Sequence, residues 1–216
     1  VGGCVRDLLL QLNPKDYDVA TSATPEQVRA EFRNARVIGR RFKLVHVHFG
    51  REIIEVATFR ANHPEEDDED ASQLASRNES GRILRDNVYG TLEDDAQRRD
   101  FTINALYYDP TSERILDHTR GVHDIRNRLI RLIGDPEQRY QEDPVRMLRA
   151  VRFAAKLDFE IERHSAEPIA DLAELLDGIP SARLFDEVLK LFLAGRAERT
   201  FELLVEYARD AGGVVL

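Results

Sequence analysis

Asp16 and Asp18 stand one residue apart in the run NPKDYDVATSATPEQV, a β-like stretch directly ahead of a helix start. In a strand the side chains alternate with a period of two, so both carboxylates point to one face. Adjacent carboxylates repel, and a folded chain tolerates them where a cation sits between them or open water screens them. Upstream, Gly2 and Gly3 precede a helical run that carries Arg6. Backbone N–H groups at such a turn, with a guanidinium one turn in, suit a phosphate, although an ordinary tight turn has the same residues. A phosphate cradle near a two-carboxylate platform matches the needs of nucleotidyl transfer. There, one Mg2+ neutralises the triphosphate and leaving group, and a second lowers the pKa of the attacking hydroxyl.

A third carboxylate commonly completes such a site, and two candidates compete. Glu55 lies in the strand-like EIIEVATF, and Asp100 lies in RRDFTINAL beside Arg98 and Arg99. The segment EDPVRMLRAVRFAAK places Arg146, Arg149, Arg152 and Lys156 at spacings of three, three and four, one face of a helix. Asp143 sits one turn before Arg146. An acid beside an arginine can template a base: the carboxylate accepts from adenine's exocyclic amine while the guanidinium donates to a ring nitrogen. The bland alternative is an amphipathic helix with a solvated basic face. His46 and His48 share a strand face, but no His or Cys cluster accompanies them, so a partly packed strand face is the better reading than a metal pair.

Several elements must position these residues. Thr24-Pro25-Glu26 predicts a capped helix running to about Asn34. Leu44–Phe49 alternates as a strand, and Glu52–Phe59 is a second strand rich in β-branched residues. Residues from about Ala61 to Arg82 are polar, acidic and aperiodic, hence a loop. LEDDAQRRDFTINALYYD reads as a helix from about Asp94, and RILD as a short strand. Beyond LIRLIG the texture becomes helical: Pro136–Leu157, Ser165–Asp177, Ser181–Leu193 and Ala197–Asp210. The organisation is therefore a mixed α/β half, 1–124, and an all-helical half, 125–216.

Hydrophobic residues make up 42% and charged residues 33% of the 216 residues, which excludes a low-complexity disordered chain. No run approaches the ~20 apolar residues of a membrane span. A single cysteine, Cys4, excludes an intrachain disulfide and suits a reducing, cytoplasmic setting. The net charge of −9 looks wrong for a nucleic-acid protein, yet Glu65–Asp70 accounts for six of those charges, and such blocks are usually solvated. Net charge thus neither supports nor excludes RNA.

In this order, GGCVRD, DYDVAT, IIEVATFR, RRDFTINALYY, EDPVRMLRAVRFAAKL and IPSARLFDEVLKLF resemble the class II nucleotidyltransferase family of bacterial poly(A) polymerases and tRNA CCA-adding enzymes. The resemblance covers nearly the whole chain. It implies an α+β fold: a nucleotidyltransferase head on a mixed sheet, then a helical neck that binds the nucleotide base and RNA. It implies transfer of a nucleoside monophosphate from its triphosphate to an RNA 3′ end, with two Mg2+ ions and no template, DNA or membrane. Asp16 and Asp18 become the metal-binding catalytic pair, with Asp100 the preferred third acid and Glu55 kept open. Gly2, Gly3 and Arg6 would meet the phosphates, with Asp7 steadying the turn, and Arg98, Arg99 and Asn104 would line the triphosphate and ribose. Asp143 and Arg146 would read the base, with Arg149 and Arg152 behind them, while Arg183 and Glu187 would brace the head. In the family a block precedes Gly2, and a body and basic tail follow the neck; the expectation is that these lie outside this sequence. VIGRRFKLVHVHF, with its paired Arg40-Arg41, favours the polyadenylating branch and its substrate ATP over the CCA-adding one.

Overall fold

Thr24 starts the first well-capped helix as its sequence predicts. Its hydroxyl accepts from Gln27 N–H, the Gln27 side chain accepts from Thr24 N–H, and Pro25 fills the first turn. This helix, α2 (Pro25–Glu31), follows a short α1 (Gly3–Leu9). The computed structural model describes residues 1–39, 43–61, 75–77, 83–86 and 88–210. Arg40-Arg41 and the acidic run Glu65–Asp70 lie outside the described residues. The chain divides into two units: Val1–Arg99 with Ile103–Gly121, and Asp100–Thr102 with Val122–Leu216.

The first unit is built on a four-stranded mixed sheet. Strands β1 (Asp18–Thr21), β2 (Ala35–Ile38), β3 (Leu44–Phe49) and β4 (Glu52–Thr58) lie in the order β1-β4-β3-β2. β1 runs parallel to β4, and the other pairings are antiparallel. Period-two alternation sends Val45, Val47 and Val56 to one face, where they pack with Val28 of α2. Burying each such side chain stabilises by roughly 1.5–3 kcal/mol. Asp18, His46 and Glu55 fall on the alternate positions of their strands. A strand at Ala75–Arg77 (β5) pairs antiparallel with β6 (Ile83–Asp86), so the acidic stretch read as a loop contains a strand.

Thr91 and Asp94 form a second capping box, which starts α3 (Leu92–Arg98) two residues earlier than the sequence suggests. The helix also ends early: Arg99 is extended (ψ 163°), Thr102–Asn104 form a 3₁₀ turn, and Leu106–Asp109 is a strand, β7, paired with β8 (Arg114–Asp117). The expected single helix fails because Phe101, Ile103 and Leu106 are fully buried, and this burial outweighs local propensity.

The second unit is mostly helical: α4 (Gly121–Asn127), α5 (Pro136–Glu142), α6 (Val145–Leu157), α7 (Arg163–Leu172), α8 (Ser181–Phe192) and α9 (Ala197–Asp210). It also holds a short parallel strand pair, β9 (Leu129–Ile130) with β10 (Glu160–Ile161), so it is not purely α. The predicted helix Pro136–Leu157 breaks at Asp143. That residue precedes a proline, whose ring disfavours the helical region, and it is extended (φ −150°, ψ 91°). The predicted helix Ser165–Asp177 gives way to a 3₁₀ segment, Ala173–Gly178. The core gathers Tyr140, Val145, Met147 and Val151, and Phe101 meets Phe153 edge-on at 5.6 Å.

A buried acid ties this unit's short segment to its body. Asp124, 1% exposed, accepts from the Thr102 hydroxyl at 2.7 Å and from Arg131 Nε at 3.0 Å. Asp124→Ala leaves the Thr102 hydroxyl without its buried acceptor, and the expected loss is about 2 kcal/mol, read from the urea unfolding midpoint.

Candidate active site

The parallel pairing of β1 with β4 sets Asp18 in register with Glu55, residues 37 apart in sequence. Asp16 lies just outside β1, in the irregular chain after Pro14, yet it lines the same 770 Å3 cleft as Asp18, Glu55, His46 and Glu52. Burial first, then the charge of Glu55 and, more weakly, that of Asp16 push the Asp18 carboxyl above its ordinary value, against the opposing pull of the amino terminus and Arg99. The repulsion anticipated from the sequence therefore exists in the fold, and Glu55 contributes more to it than Asp16.

Among the described residues no three His, Cys, Asp or Glu side chains converge to enclose an ion unaided. The donor set nonetheless fits Mg2+, which takes one or two carboxylates and completes its octahedron with water and phosphate oxygens. Hard oxygen ligands are present, and their mutual repulsion is what a divalent cation relieves.

The glycine turn is held from behind. Gly2 has φ 69°, and a Cβ there would stand 3.0 Å from Arg99 Nη1 and 3.3 Å from the Asn104 carbonyl, so only glycine fits. Arg6 is buried: it donates to Asp7 Oδ1 and to Asn104 Oδ1. Arg6 and Asn104, both expected at the phosphates, are thus bonded to each other, tying α1 to the 3₁₀ turn. Gly3 opens α1, and Arg98 ends α3 half-buried.

Arg99 is anchored by residues that the sequence reading did not single out. Its Nε donates to the Tyr107 hydroxyl at 2.9 Å, Nε and Nη2 donate to Asp95 Oδ2, and Nη1 donates to the Asn104 carbonyl. Tyr107 donates its own O–H to Asp95 Oδ2, and Asp95 Oδ1 accepts from Arg60 N–H. Burial, opposed by Arg99 and reinforced by Asp95, pushes the Tyr107 phenol well above its ordinary value, so it stays a donor. The i,i+4 spacing of Asp95 and Arg99 was a visible signal for one of these partners. Nothing local marks Tyr107.

Asp100 belongs to the second unit. Its Oδ1 accepts from Arg146 Nε at 3.2 Å, and its Oδ2 pairs with Arg149 Nη1 at 2.6 Å. With both oxygens engaged by guanidinium groups, Asp100 is an arginine anchor, while Glu55 is the acid that the sheet brings beside Asp18. Arg146 is largely buried and also donates through Nη1 to the Arg139 carbonyl and to Glu142. Arg152 lies over the Phe153 ring at 4.5 Å. The basic face of α6 is accordingly not a uniformly solvated one.

Asp143, at the break between α5 and α6, accepts from Arg183 Nη2 at 2.7 Å through Oδ2. Its Oδ1 is buried and accepts no hydrogen bond among the described residues. Arg183 thus bonds an acid of its own unit, and Glu187 pairs with Lys190 at 2.7 Å.

A mixed sheet presenting paired carboxylates, followed by a helical unit, is the architecture of a nucleotidyltransferase head with its neck. The chain belongs to the family whose model is described as "Poly A polymerase head domain", which matches residues 1–131. Residues 158–208 match "Probable RNA and SrmB- binding site of polymerase A". The chain is 57% identical over 208 residues to poly(A) polymerase I of Haemophilus influenzae, covering 96% of this chain and 45% of that protein. It is 38% identical over 206 residues to the CCA-adding enzyme of Lactobacillus helveticus, covering 95% and 48%. The crystal structure of the Bacillus stearothermophilus CCA-adding enzyme in complex with CTP superposes with a TM-score of 0.80 at 37% identity, covering 95% of this chain and 47% of that one. The chain thus spans about half the length of these relatives. Chemistry in nucleotidyltransferases of this kind is metal-dependent. Among the described residues no helix is long and apolar enough to cross a membrane.

The raised Asp18 pKa gives a stability test. The folded state holds this proton more tightly than the unfolded chain, so folding is favoured below the ordinary value of 3.8 and penalised as pH rises through the higher folded value. In EDTA at neutral pH, Asp18→Asn is expected to raise Tm by about 2 °C. The gain shrinks as pH falls toward 3.8, and Mg2+ stabilises the wild type but not the variant, both read by thermal denaturation.

Proposed function

We propose that this chain is the catalytic head and base-reading neck of a template-independent polymerase that adds AMP from ATP to RNA 3′ ends, working in the cytoplasm. What carries the reading is the 57% identity to a poly(A) polymerase I over 96% of the chain, against 38% to a CCA-adding enzyme over a similar span. Asp16, Asp18 and Glu55 would hold the metal site; two Mg2+ ions bound there would supply charge neutralisation for the triphosphate and a lowered pKa for the RNA 3′-hydroxyl. Every other role falls to the chain itself. The turn at Gly2-Gly3, its Gly2 N–H donated to the Leu106 carbonyl at 2.8 Å, is kept open for close approach of the phosphates, with the Gly3 N–H at the start of α1 as the backbone donor. Arg99, clamped by Asp95 and Tyr107, is a fixed positive charge that needs no reorganisation as negative charge develops. Arg6 and Asn104 brace that turn, and Arg98 extends the positive field.

Base reading falls to Asp143 and Arg146. The buried Asp143 Oδ1 is the acceptor for adenine's exocyclic amine, and Arg183 fixes the carboxylate's orientation through the other oxygen. Nε and both Nη1 hydrogens of Arg146 are used in its bonds to Asp100, Arg139 and Glu142, which leaves Nη2 to donate to a ring nitrogen. Arg149 and Arg152 support this pair from the same helix. The second reading, CCA addition, is favoured by the 0.80 TM-score to an enzyme crystallised with CTP.

The test uses the full-length protein with Mg2+, a labelled unstructured RNA, a tRNA lacking its CCA end, and one nucleotide at a time. ATP-only ladders on either RNA are the expected result. CTP addition to the tRNA that stops after a few nucleotides would instead establish the CCA-adding activity. In the same assay Glu55→Gln is expected to lower kcat about 100-fold, equivalent to ~3 kcal/mol of transition-state stabilisation. A kcat near that of the wild type would remove Glu55 from the metal site.

A further inference from the structure

His46 has no role in the account above, yet it lines the carboxylate cleft. It is the direct cross-strand partner of Glu55 on the adjacent antiparallel strand, and its Nε2 stands 3.2 Å from Glu55 Oε1. A carboxylate only accepts, so Nε2 carries the proton and donates. The two side chains differ in freedom: His46 is 23% exposed and Glu55 51%. Glu55 has more rotatable bonds and is repelled by Asp18. Left alone, it would gain both rotamer entropy and electrostatic relief by swinging into water. His46 is the stiffer partner, carried on a strand whose neighbouring residues Val45 and Val47 are locked in the core.

We infer that His46 is a positioning residue for the metal site, holding Glu55 Oε1 so that Oε2 is kept for a divalent cation. This rests on Glu55 being the third acid, and it extends that assignment to the shell behind it. The other charged groups on the same cleft, Lys15, Asp16, Asp18 and Glu52, do not hydrogen-bond His46 among the described residues, so the effect passes through Glu55. Hydrogen-bonded partners behind a ligating side chain typically change metal affinity by about 10–100-fold.

The experiment measures Mn2+ binding to the metal-free, full-length protein by the electron paramagnetic resonance of free Mn2+, alongside kcat and KM for ATP. The variants are His46→Ala, His46→Gln, Glu55→Gln and the double variant His46→Ala/Glu55→Gln, each with a Tm to verify folding. Expected are a roughly tenfold or greater loss of Mn2+ affinity in His46→Ala, with kcat lowered and KM for ATP little changed. Restoration of most of that affinity in His46→Gln, which again offers an N–H, is also expected. In the Glu55→Gln background His46→Ala should have no further effect. Wild-type Mn2+ affinity in folded His46→Ala would overturn the inference, and so would an undiminished effect of His46→Ala in the Glu55→Gln background. Should Glu55→Gln itself bind Mn2+ and turn over like the wild type, the third-acid assignment fails first, and the His46 role fails with it. If His46→Ala does not fold, His46→Gln decides: normal Mn2+ affinity there supports the donated N–H, and lost affinity in a folded protein overturns it.

Discussion

Mutual repulsion among carboxylates is the constraint on which the first unit is organised. Asp16, Asp18 and Glu55 share one cleft, where burial first and then the neighbouring charge of Glu55 raise the Asp18 pKa. Side-chain contacts alone would let such a cluster spread apart. The β1–β4 ladder prevents it, because backbone hydrogen bonds set the register and the register sets which acids face each other. The apolar cluster of Val28, Val45, Val47 and Val56 on the alternate strand positions holds that register, since a one-residue slip would turn the valines to the acids' side. The hydrophobic pattern and the cleft-facing acids of the strands are thus two halves of one alternation.

A second theme is that the arginines are held by acids rather than left to search. Asp7 and Asn104 hold Arg6, Asp95 and Tyr107 hold Arg99, and Asp100 holds both Arg146 and Arg149. An exposed arginine loses substantial rotamer entropy when it binds an anion; one already fixed by its own chain has lost that freedom beforehand. Paired in this way, the guanidinium groups sit partly buried, where a charge acts through a lower effective dielectric.

What the sequence made legible was local chemistry. Thr24 carries a cap partner three residues on, and Val45, Val47 and Val56 alternate as strand residues should, whereas the matching cap at Thr91 escapes the sequence reading, which starts that helix two residues late. The paired aspartates also announced their own repulsion. The failures came where tertiary packing or a backbone detail decided. RRDFTINALYY keeps helix-compatible residues, but full burial of Phe101, Ile103 and Leu106 turned it into an extended segment, a 3₁₀ turn and a strand. The Asp143-Pro144 dipeptide carries a helix-break signal in the sequence, but the arginine spacing that starts at Arg146 gives no hint of it. The different settings of Glu55 and Asp100 were beyond sequence, because they depend on strand register and on guanidinium partners 46 and 49 residues from Asp100 in the chain.

The placement of Asp100–Thr102 has a consequence for how such proteins can be recombined. Three consecutive residues, flanked on both sides by residues of the first unit, belong to the second. There Phe101 is fully buried against Phe153, and Thr102 reaches Asp124. The second unit is therefore not a cassette: a contiguous piece from Val122 onward lacks Phe101, one of its core aromatics. Exchanging necks between relatives, by recombination or in the laboratory, transplants a hydrophobic socket whose plug stays behind in the other parent. Such a chimera inherits a working interior only if the parents agree at those three positions, which makes this tripeptide a point where the two halves must change together.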